Sequence, residues 1–422
     1  MIFLKLRPRF GPGFPFAAEF HQFLQTMQLS SILSRFSEPE TLKMAKLGRE
    51  LRAKGVDVID LSLGEPDFDT PEHIKDAAKK AIDDNWSHYT PVAGYADLRE
   101  AVCVKFKRDN QLDYKPENIV VSTGAKQSLA NVILALVDDG DEVVIPTPYW
   151  VTYSELVKIA RGKVVEVHTS LESGFKITPA QLEKAITPKT RVFLFSSPCN
   201  PSGAVYNKAE LEALAAVFRK HPGVVILSDE IYEYINFTGK HESIAQFADL
   251  KDRVVIINGL SKGFAMTGWR LGYIAANTEI AKACEKLQGQ FTSGTNSIAQ
   301  KSAVVALTAD LSASWDMVKE FTNRRKRTLE LVKAIPGLKC FEPEGAFYIF
   351  PDVSYYYGKS DGTTTIGNAG DFSMYLLNTA HVSSVMGDAF GEPACVRFSF
   401  ANSMGNIEKA WGRIKDALAK LK

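Results

Sequence analysis

The sequence of 422 residues is short of the features that mark several protein classes. No apolar run approaches the roughly 18 residues that a membrane-spanning helix needs. A formal net charge of +1 provides no field that attracts nucleic acid or an anionic membrane. The five cysteines are scattered and none forms a Cys-x-x-Cys pair, which indicates neither a disulfide framework nor a zinc site. We therefore expect a cytoplasmic protein with no metal, membrane or nucleic-acid partner.

Two nucleotide-binding motifs are also missing. The Walker pattern GxxxxGK[ST] does not occur, and Lys262 is followed by glycine rather than by serine or threonine. The pattern GxGxxG does not follow the early strands, which counts against a dinucleotide-binding fold.

The first 26 residues differ in composition from the rest of the chain. They are basic and are interrupted by Pro8, Pro12 and Pro15, whereas a secretory signal needs an unbroken apolar stretch. A transit peptide remains an alternative, although these positions contain no serine. We interpret residues 1–27 as a flexible N-terminal extension, or as an upstream start with Met27 as the working start.

From about residue 119, short apolar runs alternate with amphipathic segments. This alternation is typical of an α/β fold, in which helices cover both faces of a mainly parallel mixed sheet. We predict a large domain over 71–325 and a smaller α+β domain formed by 28–70 and 326–422. Strands are predicted at 119–121, 142–145, 163–168, 191–195, 224–227, 254–257, 271–275, 346–350 and 395–400, and helices at 40–54, 72–84, 128–137, 208–221 and 296–335, with a terminal helix.

Three predicted strands end in unusual polar residues. Asn200, Asp229 and Lys262 each follow an apolar run, and parallel strands place their carboxyl ends at one edge, where ligands bind. Taken singly, Asn200 before a proline fits an ordinary turn, Asp229 fits a helix N-cap, and Lys262 fits a solvated loop. Three such residues at equivalent strand ends instead favour one pocket that contains an amide, a carboxylate and an amine.

A fourth element suggests a phosphate site. The small residues of Ser-Thr-Gly-Ala at 122–125 follow a strand and open a helix, so backbone N–H groups there are available to a phosphate. A phosphate site beside an amine and a carboxylate suits a pyridine-aldehyde cofactor.

These segments resemble a known family. The class I/II aminotransferases, which are fold-type-I transferases dependent on pyridoxal phosphate (PLP), have similar motifs in the same order. The matching segments are SPCNPSG at 197–203, DEIY at 229–232 and SKGFAMTGWRLG at 261–272. The resemblance extends over about residues 28–422 and implies the aspartate aminotransferase fold, with a large and a small domain.

The resemblance implies pyridoxal 5'-phosphate as cofactor and assigns the catalytic residues. Lys262 is expected to form the Schiff base and shuttle the proton, Asp229 to pair with the ring nitrogen, and Tyr232 to bond the phenolic oxygen. Trp150 is expected to stack on the ring, although a core aromatic is the alternative. The expected cofactor-binding residues are Tyr89, Gly124, Ala125, Lys126, Trp150, Asn200, Asp229, Tyr232, Ser261, Lys262 and Arg270.

Substrate binding is also implied by the resemblance. Arg397 is expected to clamp the substrate α-carboxylate bidentately, although a strand arginine is usually solvated or paired. The positive charge of Lys126 in the first turn of a helix opposes the helix dipole. One interpretation is that its side chain points into solvent, which screens this charge. In one branch of the family, the lysine of Gly-Ala-Lys recognises the distal carboxylate of a dicarboxylic substrate. The expected substrate-binding residues are Gly64, Lys126, Trp150, Asn200 and Arg397.

We therefore predict a ping-pong aminotransferase that uses aspartate and 2-oxoglutarate and yields oxaloacetate and glutamate. Prephenate or aromatic transamination is the near alternative, and a carbon–sulfur lyase would share Lys262, Asp229 and Arg397. A non-enzymatic regulator would need a DNA-binding domain, for which the N-terminal extension is too short. The family tyrosine at Tyr89 enters the neighbouring subunit's phosphate site, so a homodimer is expected.

Overall fold

The apolar runs of the sequence form strands, and seven of them make one mixed sheet. The structure is a computed structural model that describes residues 29–38 and 40–422. In chain order, the strands are β1 (Ile59–Asp60), β2 (Ile119–Ser122), β3 (Glu142–Pro146), β4 (Lys163–Val167), β5 (Thr190–Ser196), β6 (Val225–Asp229), β7 (Val254–Gly259), β8 (Gly272–Ala275), β9 (Tyr348–Ile349), β10 (Val382–Ser383), β11 (Val385–Met386) and β12 (Val396–Ser399).

The large sheet has the strand order β2-β8-β7-β6-β5-β3-β4. Strand β8 runs antiparallel to both of its neighbours, β2 and β7, and the remaining pairs are parallel. Strands β2, β3, β5, β6 and β7 therefore end at the same edge. The segments that follow these strands meet there, as the sequence predicted.

Both faces of the sheet are buried. In β5, Phe193 and Phe195 join one hydrophobic cluster, whereas Val192 and Leu194 join a second cluster on the opposite face. Each fully buried side chain of this size contributes roughly 1.5–3 kcal/mol to folding. Continuous apolar strands are stable only between two layers, so the α/β fold predicted from these runs is confirmed.

Helices pack on the sheet and on a second core. Asn207 illustrates how they begin: its side chain accepts the Glu210 N–H at 3.0 Å, and Glu210 accepts the Asn207 N–H at 2.8 Å. The helices are Glu40–Ala53, Glu72–Asp83, Ala96–Lys105, Ala125–Leu136, Thr152–Ile159, Pro179–Ala185, Lys208–Lys220, Thr278–Phe291, Ser297–Thr308, Ser312–Lys333, Ala369–Tyr375 and Met404–Leu418.

The long helical stretch predicted over 296–335 is helical but not continuous. Two helices occupy this stretch, and residues 309–311 separate them. The Asp310 carboxylate accepts the Ser312 N–H at 2.7 Å, so it satisfies a backbone donor at the start of the second helix. The terminal helix and both late strands occur where they were predicted, and the strands are shorter.

A small sheet brings distant residues to the pocket side of the fold. Strand β12 lies between β11 and β9, and both pairs are antiparallel. Strand β1 pairs in parallel with β10, and the Ser399 N–H donates to the Leu61 carbonyl at 2.8 Å. These pairings place the segment after β1 beside the strand that carries Arg397.

Residues 38–422 form one compact unit. The described residues before it contain one turn of 3-10 helix, Ser31–Ser34. The predicted extension, residues 1–27, lies outside the described residues. Within residues 29–38 and 40–422, we find no helix whose length and apolar character would let it cross a membrane.

Candidate active site

A pocket of about 340 Å³ lies at the carboxyl edge of the large sheet. Residues at or after the carboxyl ends of β2, β3, β5, β6 and β7 line it together with residues of the small sheet. Eleven residues named from the sequence lie in its wall: Gly64, Ala125, Lys126, Trp150, Asn200, Asp229, Tyr232, Ser261, Lys262, Arg270 and Arg397.

Lys262 follows β7 and extends its amine into this pocket. Its Nζ donates to the carbonyl of Gly64, and its side chain is half-buried rather than solvated. Burial lowers the pKa of Lys262 to about 8. The Glu65 carboxylate opposes this change, and the guanidinium groups of Arg397 and Arg270 add to it. An appreciable fraction of the amine is therefore uncharged near neutral pH.

Asp229 ends β6, is buried, and begins a turn over 231–234 rather than a helix. Its carboxylate accepts the Tyr153 hydroxyl at 2.6 Å and the Ile231 N–H at 3.2 Å. Burial raises the pKa of Asp229 to about 6, although both hydrogen bonds oppose this rise. The carboxylate is thus held where a cationic partner in the pocket would stabilise its ionised form.

Tyr153 was not predicted from the sequence. It lies three residues after Trp150, on the first turn of the helix after β3, and is almost fully buried. It follows the carboxyl end of β3, at the same sheet edge as the other pocket residues, and this position could have indicated it from the sequence.

The turn after β2 exposes backbone donors to the pocket. Gly124 has a φ of 83°, and a Cβ at this position would lie 2.5 Å from Arg270 Nη2. Among the described residues, the N–H groups of Ala125 and Lys126 at the helix start have no acceptor. Together with the nearby Arg270 guanidinium, these donors make an anion site.

Arg397 is 1% exposed and lies among polar and aromatic groups. Its Nη1 donates to Asn200 Oδ1 at 2.9 Å, and its Nη2 donates to the Ser62 carbonyl at 2.6 Å. Its Nε has no partner among the described residues, and no carboxylate there forms an ion pair with it, although the Asp60 charge acts on it from a greater distance. A buried guanidinium without a counter-ion is costly, so the site is built for an anionic ligand.

A second cation stands in the same wall. The Lys126 ammonium lies 4.9 Å from the centre of the Trp150 ring. Burial lowers the pKa of Lys126, and the Arg270 charge adds to this effect. Lys126 has no carboxylate partner among the described residues, and the residue is exposed to solvent at the pocket wall.

Two hydroxyl groups close the floor of the pocket. Tyr232 Oη lies 2.7 Å from Tyr348 Oη, and both side chains are buried. A Cβ on Gly64 would lie 2.5 Å from the Tyr348 hydroxyl, so only glycine leaves room there. Tyr348, like Ser62, was missed in the sequence because its contacts join segments far apart in the chain.

Two predicted cofactor residues do not line the pocket. Gly124 lies directly behind it, against Arg270. Tyr89 is 99% exposed and makes no contact with the pocket of its own chain.

Comparison with known proteins accounts for this geometry. Residues 56–414 match the family described as aminotransferase class I and II. The chain belongs to the class I and II aminotransferases. The predicted family is thereby confirmed, and with it pyridoxal phosphate, on which these enzymes depend.

Individual relatives agree with the family. This aminotransferase is 45% identical to an aspartate/prephenate aminotransferase of Nitrosomonas europaea, over 93% of this chain and 100% of the relative. The crystal structure of the aspartate aminotransferase from Rhizobium meliloti matches it with a TM-score of 0.91 at 42% identity, over 94% of this chain and 100% of the other. The Thermus thermophilus aspartate aminotransferase with maleate gives 0.87 at 39% identity, over 93% and 100%.

The pocket of this aminotransferase fits pyridoxal phosphate. The free N–H groups of Ala125 and Lys126, with Arg270, suit a phosphate dianion. The buried Asp229 suits a protonated ring nitrogen, and the amine of Lys262 suits an aldehyde. Charge, hydrogen-bond donors and space therefore agree with the cofactor of the family.

Proposed function

We propose that this aminotransferase uses aspartate and 2-oxoglutarate and yields oxaloacetate and glutamate. The observation that carries the proposal is the pair of cations, Arg397 and Lys126, which line one pocket without carboxylate partners among residues 29–38 and 40–422. A substrate with two carboxylates supplies one to each cation. The names of the relatives, and the dicarboxylate maleate in the Thermus structure, support this choice.

The chemistry divides between cofactor and chain. When bound, pyridoxal phosphate supplies an aldehyde carbon that exchanges amines and a ring that accepts the electron pair left on the substrate α-carbon. In this proposal Lys262 Nζ takes the α-proton of the donor amino acid. In the second half-reaction it gives a proton to the α-carbon of the amino acid that forms from the 2-oxo acid. Because both substrates use one site in turn, the kinetics are ping-pong.

The remaining residues bind and orient. Asp229, braced by Tyr153, keeps a proton on the ring nitrogen. Asn200, whose amide N–H groups have no acceptor among the described residues, donates to the phenolic oxygen together with Tyr232. Arg397 binds the substrate α-carboxylate in a bidentate pair. Gly64, which has no side chain, lets its backbone lie beside the same carboxylate. Ser261, Arg270 and the amides after Gly124 hold the phosphate, and Trp150 covers the ring.

Cofactor incorporation should depend on pH through Lys262. Only the uncharged amine reacts with an aldehyde, and its pKa of about 8 predicts that the rate of binding to apoenzyme rises with pH and levels off above about 9. Stopped-flow absorbance measures this rate. A free primary amine with a pKa near 10.4 is the control and should still gain rate above pH 9. A pH-independent rate between 7 and 9 would contradict the lowered pKa.

Lys126→Ala tests the substrate. We expect the KM for aspartate to rise about tenfold or more, because one charge-assisted hydrogen bond contributes roughly 1.5–3 kcal/mol. The KM for phenylalanine should change little, since its side chain has no carboxylate to lose a partner. Steady-state kinetics with both donors measures the split.

The control for this test removes a lysine outside the pocket. Lys163 lies on β4 and pairs with Glu142 at 3.0 Å, so Lys163→Ala changes the net charge equally. It should leave both KM values unchanged. Equal increases for aspartate and phenylalanine in Lys126→Ala would remove the proposed role.

Prephenate is the second candidate substrate. It is a 2-oxo acid that carries another carboxylate, so the same two cations fit it, and the Nitrosomonas relative is named for both substrates. Transamination of prephenate by the purified enzyme, lost together with aspartate activity in Lys126→Ala, would add it to the function.

We also propose the organisation of the chain. The separate cluster around β9 and β12 supports a small domain formed by 28–70 and 326–422, beside the large domain of 71–325. The full exposure of Tyr89 supports a homodimer in which it reaches the neighbouring subunit's site. All five cysteines are free, which supports a cytoplasmic location.

A further inference from the structure

A buried polar cluster lies behind the strand end that carries Asp229. Side chains alternate along a strand, so Ser228 and Glu230 face away from the pocket that Asp229 lines. Glu230 is fully buried, and its Oε1 accepts the hydroxyls of Ser228 at 2.8 Å and Ser243 at 2.6 Å. His241 Nε2 lies 3.0 Å from the other oxygen, Oε2.

The charges of this cluster do not balance without His241. Its carboxylates are Glu230, Glu233 and Asp109, and its permanent cations are Lys105 and Arg108. One further positive charge makes the group neutral, and an imidazolium supplies it.

A metal ion is not needed for that charge. Ligand atoms of Glu230, Glu233 and His241 lie within 4.8 Å of one another. The Lys105 ammonium, however, already contacts Glu233, which also accepts the Asn258 amide at 2.9 Å. The chain therefore supplies its own cations to these carboxylates.

The surroundings of His241 favour its charged form. Burial, the Lys105 charge and the absence of a hydrogen-bond partner for the buried Nδ1 among the described residues oppose protonation. The carboxylates of Glu230 and Glu233 outweigh these effects and raise the pKa of His241. The other titratable groups that face the cluster are Tyr114, Tyr234 and Tyr273, and burial keeps them neutral by raising their pKa values. Beside Tyr114 lie the Asp252 carboxylate and the Lys251 ammonium, 4.5 Å from the Tyr114 ring, whose charges are opposite and leave the sum unchanged.

We propose that His241 is a positioning residue of the transamination: as an imidazolium paired with Glu230, it fixes the end of β6 and sets the electrostatic potential at Asp229. The inference rests on the proposed role of Asp229. The peptide between Asp229 and Glu230 is held on both faces, since Tyr153 binds one carboxylate and His241 binds the next. Loss of the charge of His241 or of Glu230 therefore changes the electrostatic potential at Asp229.

The test is a pH titration of cofactor absorbance in purified holoenzymes, whose midpoint reports protonation of the Lys262 nitrogen. His241→Gln leaves Glu230 uncompensated, so the midpoint should rise by about 0.5 pH unit. Glu230→Gln should lower it, by less, because His241 loses part of its charge with its partner. The double variant removes both charges and should return close to the wild-type midpoint.

A matched control comes from the surface. His221 Nε2 lies 3.0 Å from Glu183 Oε1, the same distance in a pair that is partly exposed to solvent. His221→Gln should leave the midpoint unchanged. Shifts of the same sign in both single variants, or a double variant that does not recover, would show mere loosening of the strand and overturn the inference.

Two further measurements keep the test decisive. If His241→Gln does not fold, the double variant should fold, because it buries no unpaired charge. A double variant that also fails to fold would contradict the proposed ion pair between His241 and Glu230. In wild-type holoenzyme labelled with ¹⁵N-histidine, both nitrogens of His241 should be protonated at pH 7.5, and a neutral ring refutes the inference. A wild-type protein without a cofactor bonded to Lys262 refutes the proposed function instead.

Discussion

Lys262→Ala should lose at least about 10⁴-fold in kcat for transamination, the upper range for removal of a general acid–base group. The loss is this large because one amine performs two tasks, covalent attachment of the cofactor and transfer of the α-proton. The pocket offers no substitute among the described residues: Lys126 is the other lysine in its wall, and its ammonium lies over Trp150 rather than beside Gly64.

Borohydride reduction measures the attachment separately from activity. Reduction of native holoenzyme should add the mass of the reduced cofactor to the peptide that contains Lys262. Lys126→Ala is the matched control, since it removes the other pocket lysine and should leave this labelling intact. Labelling at any other lysine, or more than one hundredth of wild-type activity in Lys262→Ala, would contradict the assignment.

The strands of this fold were predictable because the sheet is buried on both faces. Apolar runs such as that of β7 have no polar alternation, which happens only where helices cover both sides. Helix boundaries were harder. The break at residues 309–311 depends on one Asp310 hydrogen bond, and the unpredicted helix Thr278–Phe291 begins at an Asn277 cap in a segment without strong periodicity.

The site divides in the same way. Asn200, Asp229 and Lys262 were predictable because strand topology brings strand ends to one edge. Tyr153 and Tyr348 were not, because their roles arise from contacts across the fold, with Asp229 and with Tyr232. No sequence pattern near His241 indicates its role either, since its partner Glu230 lies eleven residues earlier, on the other side of a turn. Residues that support the chemistry are set by packing, which sequence patterns do not encode.

Asp229→Asn should lower kcat by about 10³-fold, comparable to the loss of a preorganised electrostatic group. Asparagine keeps the size of the side chain but removes the negative charge that holds a proton on the ring nitrogen. Without that proton the ring accepts the α-carbon's electron pair poorly, so the proton transfer to Lys262 slows. Single-turnover kinetics with aspartate measures this step, and equilibrium dialysis measures the accompanying loss of cofactor affinity.

Tyr153→Phe separates the charge of Asp229 from its support. The Tyr153 hydroxyl lowers the pKa of Asp229 against burial, so its removal raises a pKa that is already about 6. A carboxylate with a raised pKa is ionised only at higher pH, and the acid limb of the kcat profile should move upward. Above pH 8 Asp229 is ionised again, and Tyr153→Phe should recover to within about tenfold of wild type while Asp229→Asn does not. If both variants lost activity equally at every pH, the carboxylate's charge would not be what the reaction uses, and position 229 would serve only to shape the pocket.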